Sequence, residues 1–282
     1  MADLRRRFSQ VDVFTDTPLR GNPVAVVHDS AGLTTEQMQA FTNWTNLSEA
    51  TFLGPPTHPD ADYSVRIFCP GRELAFAGHP TLGSCHAWLE SGGRPRGSDI
   101  VQECGIGLVR IRRDSGLQTL AFAAPERRRS GPLAPADLDA VVAYLGVAPE
   151  RVLAHEWGDN GPGWRMVLLA TAQDVLDLVP DSSRLHGMDI GVAGPHPAGS
   201  PVDLEVRAFF PGNSGPAEDP VTGSLNAALG QWLIGSARLP ESYLAAQGTC
   251  VDRAGRVRVE RVAGQVWIGG GCTTVLSGTA RL

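Results

Sequence analysis

The feature that most constrains this chain is that it repeats itself. Arg66-Ile67-Phe68-Cys69-Pro70-Gly71 returns as Arg207-Ala208-Phe209-Phe210-Pro211-Gly212, 141 residues later. His79-Pro80-Thr81-Leu82-Gly83-Ser84 returns as Asp219-Pro220-Val221-Thr222-Gly223-Ser224, 140 residues later. Two segments that recur at nearly one offset imply two similar halves. The 282 residues then divide into halves of domain size.

Each copy reads as a strand, a Pro-Gly turn, a loop and a helix. Proline suits the first turn of a helix, which puts the two helix starts near Pro80 and Pro220. After the second, Leu225, Ala228, Leu229, Trp232 and Leu233 recur at helical spacing and predict a buried face. Leu82, Cys85 and Leu89 do the same in the first half, so Cys85 reads as core rather than as a reactive thiol. Helix N-termini offer free N–H groups and a positive dipole end to an anion. If the halves face each other, both starts open on one cleft suited to a small carboxylate. The same features also fit two helices that only pack, left over from a duplication.

Phe8, Val11, Val13 and Phe14 predict a strand, joined through Thr17 to Pro23 to a second at Val24–Val27. Thr34 and Gln37 form a capping-box pattern ahead of Met38, Phe41 and Trp44. Strands are expected at Ser48–Leu53 and Tyr63–Phe68, a helix near 80–90, and two strands within 100–122 about a turn at Asp114-Ser115-Gly116. The proline- and arginine-marked stretch 123–137 is the expected boundary, with Arg127-Arg128-Arg129 in a solvated loop. Beyond it come a helix near 136–145, a strand at Arg165–Leu169, a short helix near 172–178 and a Pro/Gly/His-rich loop over 186–201.

Composition removes several function classes. All 24 basic residues are arginine. Without lysine there is no Schiff base, no lysine-held pyridoxal phosphate and no Walker P-loop, so Gly269-Gly270-Gly271 reads as a strand-end turn or bulge. A net charge of -6 argues against nucleic acid as a partner. No run of 18 apolar residues predicts a membrane span. Arg5-Arg6-Arg7 has no apolar stretch behind it to make a signal peptide, so the expected location is cytoplasmic. The five cysteines are odd in number and form no C-x-x-C, and no H-E-x-x-H occurs, so neither a disulfide framework nor a metal site is expected.

Gly21-Asn22-Pro23-Val24-Ala25-Val26, Leu47-Ser48-Glu49-Ala50-Thr51-Phe52, Phe76-Ala77-Gly78-His79-Pro80-Thr81 and Glu218-Asp219-Pro220-Val221-Thr222-Gly223-Ser224 appear in the order of the phenazine-biosynthesis PhzF family, which the whole chain resembles. The resemblance implies an α+β, diaminopimelate-epimerase-like fold. In that fold two pseudo-symmetric domains each wrap a curved, mostly antiparallel sheet around a central helix, with the active site between them. The last strand returns to the first domain, which gives an N-terminal domain of 1–124 with 272–282 and a C-terminal domain of 125–271. The resemblance also implies a cofactor-free, metal-free isomerase and a homodimer. Its catalytic residues fall on Glu49, His79 and Asp219. Gly78, Pro80, Thr81, Thr222, Gly223 and Ser224 are the expected substrate-binding residues. Ala75 stands where a proline is common in the family, and 212–217 is a short Gly/Pro-rich approach to Glu218. Both departures border the expected cleft.

The implied chemistry is a proton shift on a small unsaturated amino acid or aromatic carboxylate. One carboxylate can remove and return the proton if partial desolvation raises its pKa. Glu49 lies among Leu47, Ala50, Phe52 and Leu53, a fitting apolar surround. Two alternatives stay open: a two-base racemase or epimerase, for which the helix starts lack the usual pair of thiols, and a non-catalytic binding protein on the same fold.

Overall fold

A computed structural model describes residues 5–114, 116, 118–212 and 215–282. Ser115 of the expected turn, Asn213 and Ser214 of the approach to Glu218, and Met1–Leu4 lie outside the described residues. The chain divides into two compact units, Met1–Ala123 with Gly269–Leu282, and Ala124–Ile268.

In the first unit the sheet runs, strand beside strand, through Cys272–Arg281, Arg5–Val13, Asn22–Val27, Ala50–Gly54, Tyr63–Cys69, Ile100–Cys104, Gly107–Asp114 and Thr119–Ala123. Only two of these steps are parallel, Asn22–Val27 with Ala50–Gly54 and Tyr63–Cys69 with Ile100–Cys104. A short strand, Arg72–Leu74, turns back on Tyr63–Cys69. The second unit repeats this plan. Its sheet runs through Ala154–Asp159, Gly163–Leu168, Asp189–Pro195, Leu204–Gly212, Ser242–Gln247 and Gly255–Val262. Its parallel steps fall at the same two places, and Gly215–Glu218 turns back on Leu204–Gly212. The repeat read from sequence is therefore a repeat of topology.

Among the described residues five α-helices complete the units: α1 (Thr35–Thr45), α2 (Gly78–Glu90), α3 (Pro135–Leu145), α4 (Ala172–Leu176) and α5 (Gly223–Gly235). Helix α2 touches Arg5–Val13, Asn22–Val27, Ala50–Gly54, Thr119–Ala123 and Cys272–Arg281, so the sheet curves around it. Gly83 permits this approach, because a Cβ there would sit 2.4 Å from Val24 Cγ1. Helix α5 is central in the second unit. The stripe from Leu225 to Leu233 is buried, and so are Asn226, Ala227 and Ile234 on its other sides.

Side chains alternate across a strand, so Ala50 and Phe52 face one way and Thr51 the other. Ala50 and Phe52 pack with Met38 and Phe41 of α1. Phe8, Phe41, Phe52 and Phe68 form an edge-to-face chain with centroids 6.1, 5.9 and 5.6 Å apart. Thr51 instead meets α2, where Ser84 Oγ donates to Thr51 Oγ1 at 2.9 Å. The capping box of Thr34 and Gln37 is formed.

Several local expectations need correction. The stretch 100–122 holds three strands rather than two, because Gly105-Ile106 makes an earlier turn. The loop expected over 186–201 contains the strand Asp189–Pro195. Its glycine there is a packing residue: a Cβ on Gly191 would lie 2.2 Å from Leu225 Cδ1 of α5. The arginine run is not simply solvated. Arg127 pairs with Glu156 at 3.1 Å, and Arg129 stacks 3.6 Å over the Trp157 ring. The helix starts also differ from expectation. Pro80 is the third residue of α2, whereas Pro220 precedes the Thr222 N-cap of α5. The motif is thus helical throughout in the first unit, whereas its first four residues precede the helix in the second.

Candidate active site

The strand expected from Ser48 begins at Ala50, so Glu49 is the residue just before it. Its carbonyl still accepts from Ala25 N at 3.4 Å, which continues the pairing of the strand. Glu49 therefore shares the alternation of Thr51 and faces α2. His79, the second residue of α2, meets it there. His79 Nε2 lies 3.2 Å from Glu49 Oε2, with side-chain exposures of 6% and 16%.

Burial decides the state of this pair. It pushes the His79 pKa down to about 3, so the imidazole is neutral near pH 7. A neutral imidazole can donate to a carboxylate or accept from a carboxylic acid. At 3.2 Å the two atoms are within reach of proton transfer, although they form no hydrogen bond with each other as the side chains stand. The Cys69 thiol is also pushed up by burial, with the Glu49 charge adding to the effect.

Asp219 belongs to the second unit and lies three residues before the N-cap of α5, which is Thr222. Thr222 Oγ1 donates to Asp219 Oδ2 at 2.5 Å. Gln247 Nε2 donates to Thr222 Oγ1 at 2.9 Å and to the Asp219 carbonyl at 3.1 Å. Gln247 Oε1 accepts from Thr222 N at 3.0 Å and from Asn226 Nδ2 at 2.9 Å. The preceding residue, Glu218, is held by Arg207 through two bonds of 3.0 and 2.7 Å.

The expected binding residues separate by what their groups already do. Thr81 N donates to Ala77 O, and Thr222 N is taken by Gln247, so neither amide is open to a ligand. Pro80 has no N–H. Gly78 and His79 at the start of α2, and Gly223 and Ser224 at the start of α5, lie in first turns, where the α-helical pattern supplies no acceptor. The side chain of Ser224 accepts from Trp164 Nε1 at 3.1 Å and its carbonyl from Asn160 Nδ2 at 2.8 Å.

The sequence reading missed Gln247, Asn226 and, in the first unit, Gln102. Gln102 Nε2 donates to Thr81 Oγ1 at 3.1 Å, and its Oε1 accepts from Tyr63 OH at 2.9 Å. The available signal was a single amide in each apolar strand, Ile100-Val101-Gln102 and Leu244-Ala245-Ala246-Gln247. Cys85 is fully buried and its thiol is pushed up to about 12 by that burial, which leaves no thiolate near pH 7. Among the described residues no three His, Cys, Asp or Glu side chains converge as metal ligands, and no helix is long and apolar enough to cross a membrane.

Comparison with known proteins agrees with this architecture. The model of the phenazine biosynthesis-like protein family matches residues 11–278. The antisense-enhancing sequence 1 protein of Schizosaccharomyces pombe is 36% identical, over 96% of this chain and 97% of its own. A trans-2,3-dihydro-3-hydroxyanthranilate isomerase of Pseudomonas aeruginosa is 31% identical, over 89% of this chain and 88% of its own. Among solved structures, a PhzF-family protein of Enterococcus faecalis superposes with a TM-score of 0.80 at 24% identity, covering 99% of this chain and 100% of its own. A hydroxyproline epimerase of Agrobacterium vitis gives 0.64 at 14% identity, covering 100% and 94%. The fold is the α+β, diaminopimelate-epimerase-like fold that the sequence motifs implied.

Proposed function

The chain belongs to the phenazine biosynthesis-like family of isomerases, and from that premise we propose that it moves one proton between two carbons of a small unsaturated amino acid or aromatic carboxylate, with Glu49 as the carrier. The observation that carries this reading is the buried apposition of Glu49 and His79 at 3.2 Å.

The step balances without a co-reactant. The Glu49 carboxylate takes a proton from an acidified C–H, and the C–H electron pair moves into the adjoining π system. The resulting carboxylic acid then protonates a different carbon of that system, and the enzyme returns to its starting state. His79, kept neutral by burial, is assigned to donate Nε2–H to the carboxylate before the transfer and to go on donating to the carbonyl oxygen of the acid after it. Asp219 is assigned to the substrate's amino or hydroxyl group. Its place in the repeat, opposite His79 in sequence register, supports that role.

The chain has no lysine for a substrate carboxylate. The amides of Gly78 and His79, and of Gly223 and Ser224, are proposed to bind it with the help of the helix dipoles. Thr81 and Thr222 contribute by shaping the helix starts, since their amides are engaged. The relative that acts on trans-2,3-dihydro-3-hydroxyanthranilate makes that compound the first substrate to offer. A cytoplasmic homodimer is proposed with the same reading. The free cysteines, one of them exposed, support a reducing compartment, and light scattering would test the dimer against the 29.9 kDa chain mass.

Incubation with that substrate in deuterium oxide, followed by NMR, tests the reaction. The expected result is conversion to the isomer, with deuterium at the newly protonated carbon to the extent that the Glu49 acid exchanges with solvent before it returns the proton. Recovery of unchanged, unlabelled substrate across a panel of unsaturated amino acids would refute the proposal.

A further inference from the structure

We infer that Gln247 is a positioning residue, which fixes the direction of the Thr222 hydroxyl and through it the orientation of the Asp219 carboxylate. The inference rests on the role given to Asp219 above.

The argument is an accounting of donors and acceptors. Gln247 is fully buried. Its two ends are assigned by their neighbours. Oε1 faces two donors, Thr222 N and Asn226 Nδ2, at 3.0 and 2.9 Å. The amide nitrogen must then be the end that meets Thr222 Oγ1 and the Asp219 carbonyl. A hydroxyl has a single proton. With an N–H already pointing at Oγ1, Thr222 directs its own proton to Asp219 Oδ2, at 2.5 Å. The run from amide to hydroxyl to carboxylate thus has one sense only, and Asp219 receives at its end. A charge-assisted O–H···O⁻ bond of this length is among the stronger hydrogen bonds a neutral group can make.

The first unit carries a similar brace, at a different register position of the strand. Gln102 occupies the equivalent strand, beside the repeat strand and parallel to it. It also donates to a threonine of the central helix, Thr81 at 3.1 Å. There its acceptor end is filled by Tyr63 OH, at 2.9 Å. His79 is met by Glu49 rather than by that threonine. A buried glutamine therefore braces a helix start in each unit, and in the second it also reaches the residue assigned to the substrate.

Two substitutions separate this role from simple packing. Gln247→Glu keeps the shape and both accepted bonds but removes both donated ones. The Thr222 hydroxyl then turns to the new carboxylate and releases Asp219. Thr222→Val keeps volume and removes the relay, while Thr222→Ser restores the hydroxyl. Crystal structures of the variants should show the Asp219 side chain displaced in Gln247→Glu and Thr222→Val, and in place in Thr222→Ser. With trans-2,3-dihydro-3-hydroxyanthranilate, kcat should fall about tenfold or more in the first two, with KM changed less than about threefold, and recover in Thr222→Ser. An Asp219 side chain unmoved in Thr222→Val overturns the inference, whether or not Gln247→Glu folds. Displacement of Asp219 in a protein that isomerises none of the substrates offered would keep the positioning role and reject the assigned function instead.

Discussion

His79 Nε2 stands 3.2 Å from Glu49 Oε2, and both side chains are withdrawn from solvent. The pair depends on two unrelated local facts. The strand alternation turns Glu49 toward α2, and the early start of α2 at Gly78 places His79 in its first turn. A carboxylate at a strand end and an imidazole at a helix start are each placed by regular backbone, which suits the proton return proposed for Glu49.

Acid stability should carry the signature of His79. Its pKa is about 3 folded and 6.5 when unfolded. Between those values the unfolded chain holds a proton that folded His79 does not. The stabilisation is complete above the unfolded value and is lost as pH falls toward the folded one. The loss approaches about 1.4 kcal/mol per pH unit for this one group. Urea titrations from pH 7 to pH 4 should show a shallower loss in His79→Asn than in the parent protein. Equal slopes in the two proteins would mean that His79 is not held neutral.

The two hairpins of the repeat should respond unequally to the same change. Arg66 and Glu73 meet at 2.7 Å with 38% and 40% of their side chains exposed. Arg207 and Glu218 meet at the same distance with 7% and 10% exposed, and Arg207 also donates to the carbonyls of Val175 and Leu178. Arg66→Met should cost about 1 kcal/mol or less. Arg207→Met strands a buried carboxylate and should cost about 3–5 kcal/mol. Chemical denaturation of both variants checks the contrast, and similar losses would contradict it.

Thiols should be dispensable for catalysis. Cys85→Ala removes a fully buried side chain and should lower stability by about 1–2 kcal/mol while leaving most activity. Cys69→Ala should also retain most activity. Loss of turnover in either variant, with the fold intact by circular dichroism, would favour a thiol as the proton carrier and a racemase-type mechanism.

Much of this was legible in the sequence because duplication leaves a pattern that needs no propensity argument. Arg66 and Arg207, and Gly83 and Gly223, keep their places in both units. The strand Asp189–Pro195 was not legible, because its glycines read as loop until Leu225 is seen against Gly191. The start of α5 was misplaced for a related reason. Asp219-Pro220 is a good local helix opening, but Asp219 takes the Thr222 hydroxyl and the helix begins after Thr222 instead. Gln102 and Gln247 were missed because a lone amide in an apolar strand has no motif. Its value appears only once its partners across the fold are known.

The central claim is that Glu49 carries the proton. Glu49→Gln keeps size and hydrogen-bonding reach but removes the exchangeable acid. Turnover of trans-2,3-dihydro-3-hydroxyanthranilate by the two proteins in deuterium oxide, followed by NMR, measures this directly. The account predicts that Glu49→Gln loses about 10²–10⁴ in kcat, with affinity for a non-reacting aromatic carboxylate such as anthranilate nearly unchanged. A folded Glu49→Gln enzyme that still forms the isomer at the parent rate would contradict it.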